Sequence, residues 1–236
     1  MDISNLSEET VEKIDATTNT YMNYSKGLLQ TLVTQKPDLK TFMDEMLPEY
    51  YENLNTLLAE FNALAPSPIT CGAGCSVCCD TIVTATPIEA VYIWLHLFKT
   101  RTEEEIAAYR DEIVFRFDKK KELEQRVLDG DQLYKEYIHL KIPCQFVGDT
   151  GSCMIYEARP SSCRNFNVIS DPKFCADLDN LNKVQAWSHP NFAKLNYEFQ
   201  KICTVIFFES EDIGTMQEMM LKYESVARDL YEAENS

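Results

Sequence analysis

Eight of the nine cysteines fall into two short sets, Cys71-Gly-Ala-Gly-Cys75-Ser-Val-Cys78-Cys79 and then Cys144, Cys153, Cys163 and Cys175. Thiolates crowded this densely repel one another and oxidise unless a cation neutralises and holds them. Glycines at 72 and 74 let the first set curl through φ > 0, so that several sulfurs converge. The pattern points to a bound metal.

Soft thiolate ligands select zinc, iron–sulfur clusters or monovalent copper. His96, His139 and His189 lie outside both motifs, so the coordination is expected to be all sulfur. Eight thiols fit two four-thiolate zinc sites, or one 4Fe-4S cluster with thiols to spare, and counting does not choose between them. Side chains of neighbours such as Cys78 and Cys79 diverge, which suggests either two metals or one ligand beside one spare thiol. Cys203 lies on an apolar helical stripe and reads as a small core residue.

A chain of 236 residues with 45% hydrophobic side chains needs no disulfide staples. The opening Met-Asp-Ile-Ser-Asn-Leu-Ser-Glu-Glu has neither the basic end nor the apolar centre of an export signal, and no run of about 18 apolar residues is present to span a bilayer. A cytoplasmic location is expected. The net charge of −16, from 22 basic and 38 acidic residues, repels nucleic acid and anionic lipid. The expected partner is a metal ion or cluster, with no nucleic acid and no membrane; a protein partner is left open. Around the second set the balance reverses, with Lys141, Arg159, Arg164 and Lys173 against Asp149, Glu157 and Asp171. Those cations can offset the residual negative charge of a thiolate site.

The rest of the chain reads as helix. Val11, Ile14, Tyr21, Met22, Leu28, Leu29 and Leu32 recur at helical spacing up to Pro37, and Leu47 to Leu64 repeat the pattern over roughly 38–65, with Pro48 as a kink or break. Thr86-Pro87-Ile88-Glu89 and Thr102-Glu103-Glu104-Glu105 are capping boxes; the second opens a charged helix to about Leu128, where Asp129-Gly130 breaks it. Thr81 to Ala85 reads as extended, and Tyr134 to Leu140 as a short helix. Two further stripes run from Phe192 to Ile206 and from Ile213 to Leu230, the latter with a methionine run that reads as core. Short β-prone runs at Cys144 and Cys153 flank Gly148-Asp149-Thr150-Gly151, which predicts a hairpin holding those two thiols close. The expected fold is mainly α, a helical bundle with a small β hairpin around a cysteine-rich metal site. Three parts are expected: a helical hairpin over 1–66, a cysteine-cluster domain over 67–180, and helices over 181–236 on the same core, with Ala65-Pro66-Ser67-Pro68 as the connector.

Cys71, Cys75 and Cys78 also match the CxxxCxxC spacing of radical SAM enzymes. The flanking helices, the missing βα alternation and Val77 in place of an aromatic argue against that assignment. A different likeness is more extensive. Cys144-Gln-Phe-Val, then Cys153-Met-Ile-Tyr156-Glu-Ala-Arg159-Pro160-Ser-Ser-Cys163-Arg164-Asn-Phe166, together with Gly74-Cys75-Ser-Val-Cys78-Cys79 and the helix start Thr86 to Ala90, resemble the YkgJ-type CxxCxxCC cysteine-cluster family, described as zinc- or iron-chelating. The resemblance covers about residues 69–176. It implies eight clustered cysteines, which map to Cys71, Cys75, Cys78, Cys79, Cys144, Cys153, Cys163 and Cys175. Gln145 departs from the family's usual proline, and the spacing to Cys175 is loose. Arg159 and Arg164 flank Cys163 as the family pattern does, with two readings open: N–H donors toward the thiolates, or surface ion pairs such as Arg159 with Glu157. Tyr156 and Phe166 read as walls that keep water from the site.

Three functions follow from these readings. The first is an intracellular protein chelating zinc or iron through the two clusters. The second is an iron–sulfur enzyme or electron carrier in protein modification, by analogy with the related cluster of flagellin lysine N-methylases, although no nucleotide-binding glycine loop is present. The third is an acidic helical adaptor with a structural metal.

Overall fold

The computed structural model describes residues 6–72, 74–127, 129–176 and 178–234. In chain order the helices are α1 (Glu8–Gln35), α2 (Leu39–Thr41), α3 (Leu47–Asn62), α4 (Pro87–Thr100), α5 (Glu103–Glu124), α6 (Gly130–His139), α7 (Ser161–Arg164), α8 (Pro190–Phe208) and α9 (Met216–Glu234). The strands β1 (Thr84–Ala85) and β2 (Gly214–Thr215) form one small antiparallel sheet. The fold is mainly α, as expected. Among the described residues, no helix is long and apolar enough to cross a membrane.

The chain divides into two compact units. The first comprises Met1–Cys71, Ser161–Asp171 and Asn182–Glu211. Ser7 caps α1 by accepting from the Thr10 N–H at 3.2 Å, and Lys36 ends it in the left-handed region just before Pro37. The helix expected over 38–65 is divided. A π-helical turn at Phe42–Met46 precedes α3, and the Leu47 N–H reaches back to the Phe42 carbonyl. Pro48 lies in the first turn of α3 and has no N–H for an i→i−4 bond, which the wider turn accommodates. Aromatic rings then join α1, α3 and α8: Tyr50 stacks on Phe199 at 4.1 Å, Tyr21 meets Phe192 edge-on at 5.0 Å, and Phe61 stacks on Trp187 at 4.9 Å. The polar tips of these rings are paired. Tyr21 and Tyr50 share a hydroxyl–hydroxyl bond, Tyr50 donates to Asn196 Oδ1 at 2.5 Å, and Trp187 Nε1 donates to the Phe61 carbonyl at 3.3 Å. Cys203 is fully buried here, as its stripe predicts, and burial pushes its thiol far up from the ordinary range.

The second unit comprises Gly72–Pro160, Pro172–Leu181 and Asp212–Ser236. Both capping boxes form: Thr86 and Glu89 exchange side-chain to backbone bonds at the start of α4, and Thr102 and Glu105 do so at α5. α4 packs along α9, where Trp94 Nε1 donates to the Met220 carbonyl at 2.8 Å and the methionines Met216, Met219 and Met220 are core. Its buried face is wide: Ile88, Val91, Ile93, Trp94, Leu95, Leu97 and Phe98 are all buried. β1 and β2 pair Thr84 with Thr215 and Ala85 with Gly214, tying the entry of α4 to the entry of α9. Leu128, the expected end of the charged helix, lies outside the described residues. Asp129 is the N-cap of α6, accepting from the Gln132 N–H at 2.9 Å.

Candidate metal centre

In the second unit the first cysteine set is shaped by a tight turn. The Cys75 N–H bonds the Gly72 carbonyl at 3.0 Å, and Gly74 takes φ 85°. A single 3₁₀ turn, Val77–Asp80, then carries Cys78 and Cys79, with the Cys79 N–H on the Ser76 carbonyl at 2.9 Å. The second set begins on the expected hairpin in a minimal form. One antiparallel bridge joins Val147 to Cys153, Gly148 N–H bonds Ser152 at 2.9 Å, and Met154 N–H bonds Phe146 at 2.7 Å. The turn of this hairpin lies against the first set so closely that a Cβ on Gly151, itself at φ 76°, would stand 2.6 Å from the Gly74 carbonyl oxygen. Only glycine fits there.

The Cys144 N–H donates to the Cys79 carbonyl at 2.8 Å and joins the turn bearing Cys78 and Cys79 to the start of the hairpin. A 3₁₀ turn at Pro172–Ala176, which carries Cys175, packs against Val77–Asp80. Cys71 and Cys163 belong to the first unit. There the Val168 N–H donates to Cys71 Sγ at 3.3 Å, and Cys163 lies on α7. All nine cysteines are thiols rather than disulfides, and the eight of the two sets are half-buried. Among the described residues, no three His, Cys, Asp or Glu side chains converge as they stand into a set that could hold a metal ion.

The electrostatics divide the thiols. A hydrogen bond from Cys79 lowers Cys78 to about 7, with the Cys78 backbone and the Arg159 guanidinium helping against burial and Asp80. Burial of its sulfur pushes Cys144 up to about 11, reinforced by the neighbouring Cys153 and Cys78 and countered by the Phe146 backbone and Arg116. One sulfur is thus ready to ligate near neutrality, while the other needs a cation to give up its proton. This donor chemistry fits a soft or borderline metal: thiols, with the Arg159 guanidinium acting on Cys78 and that of Arg116 on Cys144.

Arg116 was not legible as part of this neighbourhood. It is buried on α5 and donates through Nε at 2.8 Å and also through Nη2 to the carbonyl of Pro143, the residue before Cys144, while pairing with Glu112. Its one signal in the sequence is position: Ile106, Ile113, Arg116 and Leu123 share the buried face of the helix. Arg159 lies over the ring of Tyr156 at 3.9 Å. Arg164, in the first unit, lies over Tyr51 at 4.1 Å and donates to Asn55 Oδ1 at 3.1 Å. Tyr156 and Phe166, read as walls, are 53% and 43% exposed. Of the histidines, His189 uses its ring to cap α8.

A family model described as "CxxCxxCC: Putative zinc- or iron-chelating domain" matches residues 70–187, half of the chain. No curated protein and no solved structure matches it. With the motifs of both cysteine sets inside that match, the chain belongs to the CxxCxxCC family.

Proposed function

We propose that the protein chelates zinc or iron through the cysteines of its second unit, Cys75, Cys78, Cys79, Cys144, Cys153 and Cys175. The observation that carries this reading is the 2.8 Å bond from the Cys144 N–H to the Cys79 carbonyl, which joins the turn bearing Cys78 and Cys79 to the start of the Cys144 hairpin. The lowered Cys78 thiol and the hairpin that holds Cys144 near Cys153 support it. Closing the set around a metal requires the thiols to change rotamer, and these side chains are only half-buried. A reducing compartment suits such a set, because it keeps the thiols available.

Zinc would supply a closed tetrahedral anchor, and iron a centre able to change oxidation state. The chain purified without oxygen is expected to carry stoichiometric zinc or iron, and a variant with both Cys78→Ser and Cys144→Ser to lose it. Iron with matching acid-labile sulfide would identify a cluster, whereas zinc without sulfide would identify a thiolate site. Equal metal content in the protein and the double variant would overturn the reading.

A further inference from the structure

Beside Cys144, the second unit holds a polar pair that the packing alone does not explain. Gln145 and Gln217 are 8% and 9% exposed. Gln217 Nε2 donates to Gln145 Oε1 at 3.1 Å, and the Cys144 S–H is directed at the same oxygen at 3.9 Å. The Gln145 Nε2 is buried and has no hydrogen-bond partner. An unmade buried N–H costs about 1–3 kcal/mol, so a side chain that only filled this space would be better apolar.

A carboxamide is nearly symmetric in shape, and a half turn about Cγ–Cδ exchanges its oxygen for its nitrogen. In the present orientation the oxygen faces a thiol, which donates. A sulfur bound to a metal only accepts. We propose that Gln145 is a positioning residue of the metal centre: its amide N–H donates to the Cys144 sulfur when that sulfur is a ligand, and the Gln217 amide turns to accept the second N–H. This rests on the metal-binding reading above. An N–H directed at a ligand sulfur fixes the sulfur's orientation and withdraws electron density from it, as hydrogen bonds around metal ligands do elsewhere.

Cobalt(II), titrated without oxygen into the full chain, tests the proposal. Gln145→Met keeps the bulk and removes the N–H. The variant is expected to bind cobalt about 10-fold more weakly, in the range found for loss of outer-shell partners. Its sulfur-to-cobalt charge-transfer band should move to lower energy with the same number of thiolates engaged, a change that loose packing would not produce. A second measurement needs no variant: with ¹¹³Cd bound to the ¹⁵N-labelled protein, a Gln145 side-chain amide proton should show coupling to the metal through sulfur. Unchanged affinity and band in the variant, or no such coupling in the cadmium form, would overturn the proposal while metal binding stands. If the unaltered chain binds neither cobalt nor cadmium, the metal-binding reading falls and this one with it. A variant that fails to fold leaves the cadmium coupling to decide.

Discussion

His189 shows how one side chain can set the acid limit of the first unit. Its Nδ1 accepts the N–H groups of Asn191 and Phe192, both at 3.2 Å, and so caps α8. With Nδ1 accepting, Nε2 carries the proton and donates to Thr18 Oγ1 at 2.8 Å, while Thr18 donates onward to the Ile14 carbonyl at 2.8 Å. The ring is 1% exposed, and burial lowers its pKa below 6.5. Above 6.5 the folded and unfolded states both hold a neutral ring, and the group adds no pH dependence. As pH falls below 6.5 the unfolded chain takes up a proton that the folded chain resists, so stability falls by up to about 1.4 kcal/mol per pH unit until the lowered folded value is passed. His189→Asn, which retains a capping side chain without the titration, should flatten urea midpoints over that window relative to the unaltered protein; parallel pH profiles would show that the loss arises elsewhere. In the second unit, Arg116→Met removes two charged donors from the Pro143 carbonyl and should cost about 2 kcal/mol in urea unfolding. A loss below about 0.5 kcal/mol, the range of ordinary surface substitutions, would mean that water replaces the guanidinium.

At the scale of elements, the two capping boxes have the same chemistry in different surroundings. Thr86 and Glu89 are buried, whereas Thr102 and Glu105 are exposed. Water can replace the lost bond only at the exposed site, so Thr86→Ala should cost about 2 kcal/mol and Thr102→Ala about 0.5–1 kcal/mol. Thermal unfolding of the two variants checks the order, and equal losses would remove burial as the cause. At the hairpin turn, Gly151→Ala meets both the φ of 76° and the Gly74 carbonyl. It should separate the cysteine sets and reduce the metal retained on purification, and full retention would show that the turn can shift without moving Cys144 or Cys153. These elements differ in how readable they were. α4, α5, α8 and α9 announce themselves through caps and apolar period, because those signals are local. β1 and β2 are two residues each, too short for alternation to register, and they exist because the chain places Val83 and Met216 within a 2.8 Å backbone bond. The π turn before α3 shows in the sequence only as Pro48, which marks a break without its geometry. The cysteines were legible as two sets. Their meeting through Cys79 and Cys144, and the approach of Arg116 to Pro143, are tertiary contacts between distant residues that no local pattern encodes.

For the molecule as a whole, net charge and site architecture lead to the same expectation. The chain carries −16 before any thiol ionises, so thiolates formed without a cation would add to an existing self-repulsion. The segments that bear the six cysteines of the second unit are 3₁₀ turns, a tight glycine turn and a hairpin with a single bridge, none of which has a long hydrogen-bonded ladder of its own. A metal bound there ties together segments that regular structure does not, and its binding free energy becomes folding free energy. With free metal at about 1,000 times its dissociation constant, the linkage stabilises the folded chain by about 4 kcal/mol. At about 2–4 °C per kcal/mol for a chain of this size, this corresponds to roughly 8–16 °C in the thermal midpoint. Scanning calorimetry of the protein as purified, after removal of metal by a chelator under reducing conditions, and after zinc or iron is restored should show that shift and its recovery. The variant with both Cys78→Ser and Cys144→Ser should melt near the stripped protein and gain nothing from added metal. A midpoint that does not move on stripping would mean that the turns are held by the α4–α9 core alone, and that any metal at these cysteines contributes chemistry rather than stability.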